Sequence, residues 1–427
     1  MTEATRREPE PANGDGTVAA RRRRLRLLPM APRDTEEEHR AATPLELLFD
    51  LCFVVAVSQA GNQLNLALSV GHYRSGIVGF LMVFFAIWWA WVNFTWFASA
   101  YDVDDLFYRL LTFVQIVGVL ILAAGVANAF DHANFAVITV GYVVMRLAMV
   151  AQWLRAASGD PAGRAVALRY AAGISIVQVG WVVRLFLPHA VGVVAFYVLA
   201  LAEMLVPAWA EHTGDGSGTP WHPGHINERY GLFTLIVLGE CIAATTDAIH
   251  DASGVHDESS LALAAVACGA VLLVFSVWWW YFEHPSEKGL RMARGTAFFW
   301  GYGHYFVFSS VAALGTGLEL AAASTHGSAG TATVTTAGLC VAVPVAVYLV
   351  VTALLQARLD GMHARRFIFI GGVAVVVLAL GGAAEALGIG TAIDLMGVAV
   401  VCLVVVDEMR HRGHSGGPAR LNSTNAR

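Results

Sequence analysis

From Thr43 onward, apolar stretches of about 18–25 residues recur along the chain, separated by short polar segments. Each stretch is long enough to cross a hydrocarbon core of about 30 Å as a helix. A helix is the predicted form because a bilayer offers no partner for unpaired backbone groups. The predicted spans are 44–68, 76–99, 107–130, 134–157, 165–187, 190–210, 226–249, 261–283, 295–319, 332–355, 365–385 and 390–408. We therefore expect an all-α, polytopic transmembrane helical bundle of about twelve helices.

The segments that flank the spans are polar. Residues 1–42 predict a disordered, basic cytoplasmic tail, and residues 409–427 predict a second disordered cytoplasmic tail. The first forty residues contain no apolar run, so no signal peptide is predicted. Between the tails we expect six spans over 43–210, a cytoplasmic linker over 211–225 and six further spans over 226–408.

The two halves of the chain resemble each other. Segment 46–58 aligns with segment 228–240, and Arg109 aligns with Arg294 further along each half. A repeat of six helices, which is an even number, returns the chain to the side where it started, so the two repeats would share one orientation. The sequence therefore predicts two parallel six-helix repeats.

Composition and charge fix the environment and the orientation. Hydrophobic residues make up 57% of the chain and charged residues 14%, with a mean hydropathy of +0.59, whereas soluble domains carry about 25% charged residues. With a cytoplasmic N-terminus, 24 of the 27 Lys and Arg residues face the cytoplasm and only Arg74 and Arg184 face outside. This bias predicts an inner-membrane protein with both termini in the cytoplasm. The expected partner is the lipid bilayer, and no nucleic-acid partner is expected.

A charged side chain at the centre of a membrane helix costs about 2.5–3.5 kcal/mol, so deep charges are the first candidates for function. Asp50, Arg146, Glu203 and Glu240 stand out by depth. We expect Arg146 to pair with Glu203 or Glu240, because both acids share its level. Two interpretations of Glu240 remain open, namely a structural pair with Arg146 and a carboxylate that binds a proton or a cation.

Two further polar patterns lie on the first and seventh helices. Glu46 and Asp50 are four residues apart and share a helical face; Glu46 suits the helix N-terminus, while Asp50 suits either a structural ion pair or a functional role. Arg229, Glu240 and Asp247 lie within about 20° of one another around the helix axis and predict one polar stripe. The structural ion-pair candidates are Arg146, Arg229, Glu46, Glu228 and Asp247.

Histidine and cysteine give weaker signals. His304 is either a proton relay or a hydrogen-bonded core histidine. His222, His225 and Glu228 lack an evident fourth ligand, so no metal site is predicted. The five cysteines (Cys52, Cys241, Cys268, Cys340 and Cys402) lie in apolar runs, which favours small buried hydrophobes over disulfides or zinc ligands.

Several motifs make the chain similar to a known family. They are TPLELLFDLCFV at 43–54, WWAWVNFTWF at 88–97, ERYGLFTLIVLGE at 228–240 and GYGH at 301–304. In this order they resemble the bacterial low-temperature-requirement A (LtrA) family, over about residues 41–408. The resemblance implies an integral membrane protein; the family name records a growth phenotype in the cold and not a biochemical activity.

Three function classes remain open. Deep carboxylates and paired halves favour a secondary transporter or permease for a small molecule or ion, with Glu240, Asp50, Glu203 and His304 as ion- or proton-coupling candidates. A non-transporting protein that affects envelope behaviour or growth in the cold is an alternative, and a membrane-embedded enzyme is another. Enzyme and nucleotide-binding signatures are absent from the sequence, so neither catalysis nor a cofactor is predicted. The acidic segment 101–105 is expected to be a solvated loop.

Overall fold

A computed structural model describes residues 28–35, 37, 40–131, 134–212, 218–254, 258–284, 286–292 and 294–415. Helices account for 85% of the described residues, which form no β-strand. Twelve helices in the described part are long and apolar enough to cross a membrane. The predicted all-α, polytopic fold is therefore confirmed.

The twelve long helices are numbered in chain order. They are α1 (Pro44–Ser69), α2 (Tyr73–Tyr101), α3 (Leu106–Ala124), α4 (Ala136–Gly159), α5 (Arg164–Arg184), α6 (His189–Ala210), α7 (Pro223–Gly254), α8 (Glu258–Phe282), α9 (Ala297–Thr325), α10 (Val334–Asp360), α11 (Ala364–Gly382) and α12 (Ile389–Ser415). Short helical segments cover Val126–Asp131, Glu287–Met292, Arg294–Thr296 and Ala384–Leu387.

Several helices depart from their predicted bounds, among them the third and the last. The third predicted span breaks at Gly125, where any Cβ would lie 2.7 Å from the backbone nitrogen of Ile138. Only a residue without a side chain allows the next helix to approach this closely. After Gly125 the chain continues as a short helix. The last helix continues to Ser415, past the predicted end at 408. The predicted tails over 1–27 and 416–427 lie outside the described residues.

The start of α1 follows from a local sequence signal. The hydroxyl of Thr43 accepts a hydrogen bond from the backbone N–H of Glu46, and the Glu46 carboxylate accepts one from the backbone N–H of Thr43. This reciprocal capping box satisfies two of the N–H groups that a helix leaves unpaired at its start. Pro44 in the first helical position adds a preset backbone angle.

The described residues of the N-terminal segment contact the rest of the protein. This order differs from the disorder predicted over residues 1–42. Met30 is fully buried, and the backbone N–H of Arg33 donates to the carbonyl of Ala100. Further along, the carbonyl of Glu37 lies 2.8 Å from Nε2 of His222. Backbone hydrogen bonds of this kind order a polar segment that its composition alone would leave free.

The chain divides into two compact units. The first unit contains the described residues of Met1–Asp34, Phe97–Val117 and Val143–Trp221, and the second those of Thr35–Trp96, Gly118–Tyr142 and His222–Arg427. In the first unit, α5 packs along α6, and the ring of Trp153 stacks on Tyr170 with a centroid separation of 4.1 Å. In the second unit, α9 packs against α7, α10 and α1, and α8 packs against α7 and α12.

Glycine allows the closest helix contacts in the second unit. A Cβ on Gly381 of α11 would lie 2.8 Å from the carbonyl oxygen of Gly338 on α10, and a Cβ on Gly338 would lie 2.6 Å from the carbonyl oxygen of Gly381. Two glycines facing each other let the helix backbones approach closely, which is how helices commonly associate in lipid.

Large apolar side chains cover the outside of the described helices. Leu261 is 76% exposed, and Ile176 and Ile368 are each 70% exposed. Such residues would be costly to hydrate at this density, whereas lipid tails solvate them. The exterior thus agrees with twelve membrane-spanning helices and with contact to a bilayer.

Candidate functional site

A cluster of buried charges joins the N-terminal halves of α1 and α7. Nη2 of Arg229 lies 2.6 Å from Oδ1 of Asp50, and Nε of Arg229 lies 3.0 Å from Oδ2, so the guanidinium binds this carboxylate with two parallel hydrogen bonds. Nη1 of Arg229 lies 2.9 Å from Oε1 of Glu46. The three side chains are at most 1% exposed. Mutual pairing offsets the cost of placing these charges in the membrane.

The positions of Glu46 and Asp50, one turn apart on α1, bring both acids to the same guanidinium. The indole N–H of Trp91 donates to Oδ1 of Asp50 at 2.7 Å, and Arg229 also donates to the hydroxyl of Thr95. Both carboxylate oxygens of Asp50 are therefore engaged. This geometry favours the structural interpretation of Asp50 over a role in ion coupling.

The histidines near the start of α7 hold the chain in place. Nε2 of His225 lies 3.1 Å from Oε1 of Glu46, and Nδ1 of His222 accepts from the backbone N–H of His225. Glu228 accepts from the backbone N–H of Ala42. In the described part of the chain, no group of three or more His, Cys, Asp or Glu side chains is arranged to hold a metal ion. These residues thus tie the segment before α1 to α7.

A second polar site lies further along the same helices. The carboxylate of Glu240 on α7 accepts a hydrogen bond from Ser58 on α1, and Glu319 on α9 lies close enough for the two carboxylates to repel each other. Glu319 in turn accepts from the amide nitrogen of Asn65 at 2.6 Å. None of the ion pairs among the described residues includes Glu240 or Glu319. We call Ser58, Asn65, Glu240 and Glu319 the carboxylate site.

Close helix contacts assemble the carboxylate site. A Cβ on Gly315 of α9 would lie 3.1 Å from Cβ of Glu240, so this glycine lets α9 approach α7, and Glu319 follows one turn later on the same face. The hydroxyl of Thr316 donates to the carbonyl of Gly61, which joins α9 to α1. Both acids are partly exposed, in contrast to the sealed Arg229 cluster.

The carboxylate site lies in the half of α7 that is remote from its N-terminal end. Glu240 is about 26 Å from Pro223 along the axis and about 11 Å before Asp247 at the helix rise of 1.5 Å per residue. Asp247 is exposed. The predicted stripe of Arg229, Glu240 and Asp247 therefore has three different surroundings, namely a sealed ion cluster, a partly exposed acid pair and an open end.

An apolar layer separates the two polar regions. Phe53 follows Asp50 on α1, and Phe233 follows Arg229 on α7. The ring centroid of Phe233 lies 6.4 Å from Phe53, 4.3 Å from Trp91 and 4.9 Å from Phe308, and all four rings are fully buried. We call Phe53, Trp91, Phe233 and Phe308 the aromatic layer. It leaves no polar side chain to link the Arg229 cluster to the carboxylate site along these faces of α1 and α7.

In the first unit, Arg146 lies against Glu203. Nη2 of Arg146 is 3.4 Å from Oε2 of Glu203, and both side chains are at most 3% exposed. The indole N–H of Trp181 donates to the other oxygen of Glu203. Of the two acids considered as partners for Arg146, the structure gives it Glu203. This placement favours a structural role for Glu203 as well.

His304 is a buried histidine with both ring nitrogens engaged. Its Nδ1 lies 2.8 Å from the carbonyl oxygen of Trp300, and its Nε2 lies 3.1 Å from the hydroxyl of Tyr281. Because a carbonyl can only accept, Nδ1 carries a proton and a neutral ring accepts from Tyr281 through Nε2. The arrangement favours a hydrogen-bonded core histidine.

The acidic loop before α3 is not solvated as expected. Asp105 is fully buried, and both its carboxylate oxygens bind the guanidinium of Arg155 on α4. Burial alone would raise the pKa of Asp105, but hydrogen bonds from Arg155 and from the backbone N–H groups of Tyr108 and Leu28 outweigh it and hold the pKa below its usual value. Tyr101 donates to Asp160 beside it. The loop is thus a structural contact, because a partner 50 residues away neutralises its charge.

Sequence reasoning missed Glu319, because the predicted ninth span ends at this residue. The helix in fact continues to Thr325, which places Glu319 within it. The polar residues of α1 after Ser58, including Asn65, recur at helical spacing and were the available signal. The contact between Arg366 and Asp407, at 2.8 Å, was also missed because both lie near predicted span ends.

Comparisons with known proteins agree with this architecture. Residues 41–406 match the family model described as bacterial low temperature requirement A protein (LtrA). The chain is also similar to Uncharacterized protein RA0937 of Rhizobium meliloti (strain 1021), with 28% identity over 291 residues, or 64% of this chain and 67% of the other. The family model spans eleven of the long helices in full, from α1 to α11, and most of α12. The chain therefore belongs to the bacterial low temperature requirement A (LtrA) family.

Proposed function

We propose that the protein is a secondary transporter or channel-like permease of the bacterial cytoplasmic membrane, in which the carboxylate site binds a proton or a cation. The observation that carries the proposal is that Gly315 lets α9 approach α7 at Glu240, which places Glu319 one turn further along α9 near that acid, within membrane-spanning helices. Ion pairs among the described residues neutralise neither acid. Two neighbouring carboxylates in a medium of low dielectric constant repel each other, and a bound proton or cation relieves that repulsion.

The neighbours of the acids suit this role. Ser58 and Asn65 add a hydroxyl and an amide that can adjust to a protonated or an ionised carboxylate. The partial exposure of both acids offers a route for exchange, whereas Asp50 and Glu203 are sealed and paired. The coupling role that the sequence assigned jointly to Glu240 and Asp50 is therefore proposed for Glu240 and Glu319.

The aromatic layer supports access from one side at a time. In this conformation the acids are separated from the N-terminal ends of α1 and α7 by four fully buried rings. A transporter needs such a barrier on one side of its binding site while the other side is open. We propose that movement of α1 against α7 and α9 opens the layer in the opposite state.

The proposal is tested with the full chain in liposomes that contain a pH-sensitive dye. A proton gradient is imposed in the presence of external Na⁺, K⁺ or a series of small solutes, and its decay is followed. We expect decay through the wild-type protein, and at least tenfold slower decay through Glu240→Gln and Glu319→Gln. Glu385→Gln is the matched control, because Glu385 is an exposed carboxylate whose partner is the hydroxyl of Thr335.

Two outcomes would contradict the proposal. In the first, wild-type vesicles hold the gradient as tightly as empty vesicles under every condition. In the second, both glutamine variants, shown to be folded by size-exclusion chromatography, conduct as fast as Glu385→Gln.

A further inference from the structure

A cavity of about 60 Å³ lies between α7, α8, α9 and α10 in the second unit. It is on the opposite side of α7 from Glu240, because Asn227 and Gly231 line it and lie about 140–180° around the axis from that acid. The polar groups on its wall include Asn227, Ser286 and Gln356. The proposed coupling at the carboxylate site makes no use of this cavity.

The side-chain oxygens of Asn227, Ser286 and Gln356 on the wall each already accept one hydrogen bond. Oδ1 of Asn227 accepts from the backbone N–H of Ser286 at 3.0 Å, and Oγ of Ser286 accepts from the indole N–H of Trp300 at 3.0 Å. Oε1 of Gln356 faces Nη2 of Arg366 at 3.4 Å. These contacts also fix the orientation of both amides, because a flipped amide would point N–H groups at another donor.

The N–H and O–H donors of the same residues remain available to a ligand. In the described part of the chain, Nδ2 of Asn227 and Nε2 of Gln356 make no hydrogen bond within the protein, and the hydroxyl of Ser286 keeps its own hydrogen to donate. His304 adds no acceptor, because Tyr281 already occupies its Nε2. The cavity therefore presents surplus N–H and O–H donors and suits a ligand with several acceptor oxygens.

The volume of the cavity limits the size of the ligand, and the donors on its wall indicate the charge of the ligand. A water-sized position takes about 10–15 Å³ on this measure, so the cavity holds a ligand of about four or five non-hydrogen atoms. Behind Gln356 and His284 stands the guanidinium of Arg366, which makes two hydrogen bonds to Asp407, and Oδ2 of Asp407 lies 3.2 Å from Nε2 of His284. The guanidinium and the carboxylate neutralise each other, so the preference for an anion comes from the donors of the wall, since a hydrogen bond to an ionised acceptor is about twice as strong as one to a neutral acceptor.

We propose that this cavity is a binding site for a small carboxylate or an oxyanion of similar size. Asn227, Ser286 and Gln356 donate to the ligand oxygens, and Tyr281 and Trp300 form the aromatic wall beside them. A nucleotide, a sugar or a lipid headgroup would extend beyond the cavity. The site goes beyond the proposed function and stands without it.

The test is a calorimetric titration of the purified full-length chain in detergent with acetate, and separately with acetamide. Acetamide has the same shape but no charge, and its amide N–H groups would meet side-chain oxygens that already accept one hydrogen bond each. We expect saturable, millimolar binding of acetate, as befits a ligand of about four non-hydrogen atoms, and at least tenfold weaker binding of acetamide.

Two variants test the donors without removing the acceptors. Asn227→Asp keeps an oxygen for the backbone N–H of Ser286, and Gln356→Glu keeps one for Arg366, but each replaces an amide donor by a negative charge. We expect each to weaken acetate binding at least tenfold. Asn134→Asp is the matched control, because Asn134 is exposed and likewise accepts from a backbone N–H, that of Ala136; its affinity should stay within twofold.

The absence of saturable acetate binding to the wild type would overturn the proposal. Equal binding of acetate and acetamide would overturn the anionic ligand class. Unchanged acetate affinity in both cavity variants would show that acetate binds elsewhere on the chain. Because the titration needs no membrane gradient, its result is independent of whether the protein transports.

Discussion

At the scale of single residues, the described chain separates sealed charges from accessible ones. Arg229 is shared by Asp50 and Glu46 at full burial, and Arg146 is paired with Glu203 at similar burial. Such pairs add little net stability compared with well-packed apolar groups, but removal of one partner leaves a charge that nothing neutralises. We therefore expect the sealed charges to affect folding.

Replacement of Arg229 by Leu should lower the free energy of unfolding by about 3–5 kcal/mol, because Asp50 and Glu46 would then face each other without a cation. The free energy of unfolding of Arg229→Lys should lie between those of the wild type and Arg229→Leu, since an ammonium keeps the charge but cannot make the two parallel hydrogen bonds. Thermal unfolding in detergent measures both. In the control, Arg291→Ala removes an ion pair with Glu287 that is more than 40% exposed, and it should change the stability by less than about 0.5 kcal/mol.

Partial rescue would identify the cause. If the loss in Arg229→Leu comes from unpaired carboxylates, Asp50→Asn in the same chain should restore part of it. A double variant that is no more stable than Arg229→Leu would show instead that the packing of the guanidinium matters.

The ion pair between Asp105 and Arg155 predicts a dependence on pH. The folded pKa of Asp105 is below its usual value of 3.8, so the carboxylate binds fewer protons in the folded than in the unfolded chain. Its contribution is fully present above about pH 4–5, and it is lost as the pH falls through the lowered folded value.

Unfolding measured from pH 7 down to pH 3 checks this sign. Asp105→Asn should be less stable than the wild type by about 1.5–3 kcal/mol near pH 7, and the difference should shrink as the pH falls below 4–5. Asp104→Asn is the control, because Asp104 is 44% exposed where it pairs with Arg109. A difference that stays constant across the range would mean that the charge of Asp105 is not the cause.

Sequence reasoning found the deep charges but not always their partners. Depth in an apolar run is visible in the sequence, so Asp50, Arg146, Glu203 and Glu240 could be singled out. The partner of a deep charge depends on which helices lie in contact. Those contacts depend on small residues such as Gly315, whose role becomes visible only in the folded structure. Glu319 was missed for a simpler reason, since the predicted helix ended at it.

At the scale of elements, the spans were predictable because each is long enough to cross a bilayer and apolar enough to leave little alternative. The breaks were not predictable, since Gly125 is one of many glycines and only its contact with Ile138 distinguishes it. Helix association in lipid depends on such close contacts and not on the hydrophobic effect. The pair Gly338 and Gly381 is the clearest example.

Gly381→Ala should therefore destabilise the contact between α10 and α11 by about 1–3 kcal/mol, because the new methyl group would meet the backbone of Gly338. Gly371→Ala, on the same helix, is the matched control: a Cβ there meets nothing within 4 Å. It should be neutral or slightly stabilising, since alanine favours a helix. Equal effects of the two substitutions on thermal unfolding would contradict the close contact.

At the scale of the whole molecule, twelve spans and the distribution of basic residues predict that both termini face the cytoplasm. The even number of spans and the charge bias are independent features, and both support termini on the same, cytoplasmic side. The two parallel repeats remain a prediction, because a likeness between apolar helices of one sequence is a weak measure of shared structure.

Single cysteines labelled from outside intact cells test this topology. We expect a membrane-impermeant maleimide to modify cysteine at positions His72 and His326, and not at Lys288 or Met362. The native cysteines lie within membrane-spanning helices and serve as the unlabelled background. Labelling at Lys288 or Met362 in sealed cells would reverse the orientation of the second half.

The Arg229 cluster also has a consequence for membrane insertion during synthesis. Asp50 and Arg229 are 179 residues apart in the chain, and ribosomes add about 5–20 residues per second. For about 10–40 s of each synthesis, α1 exists with two acidic side chains and without the arginine that will neutralise them. During that interval the newborn helix is expected to stay near the insertion machinery, or to sit shallowly with its acids among the headgroups, until α7 emerges. Nascent chains arrested before α7 should therefore remain crosslinkable to the translocation channel through α1, and chains arrested after it should not.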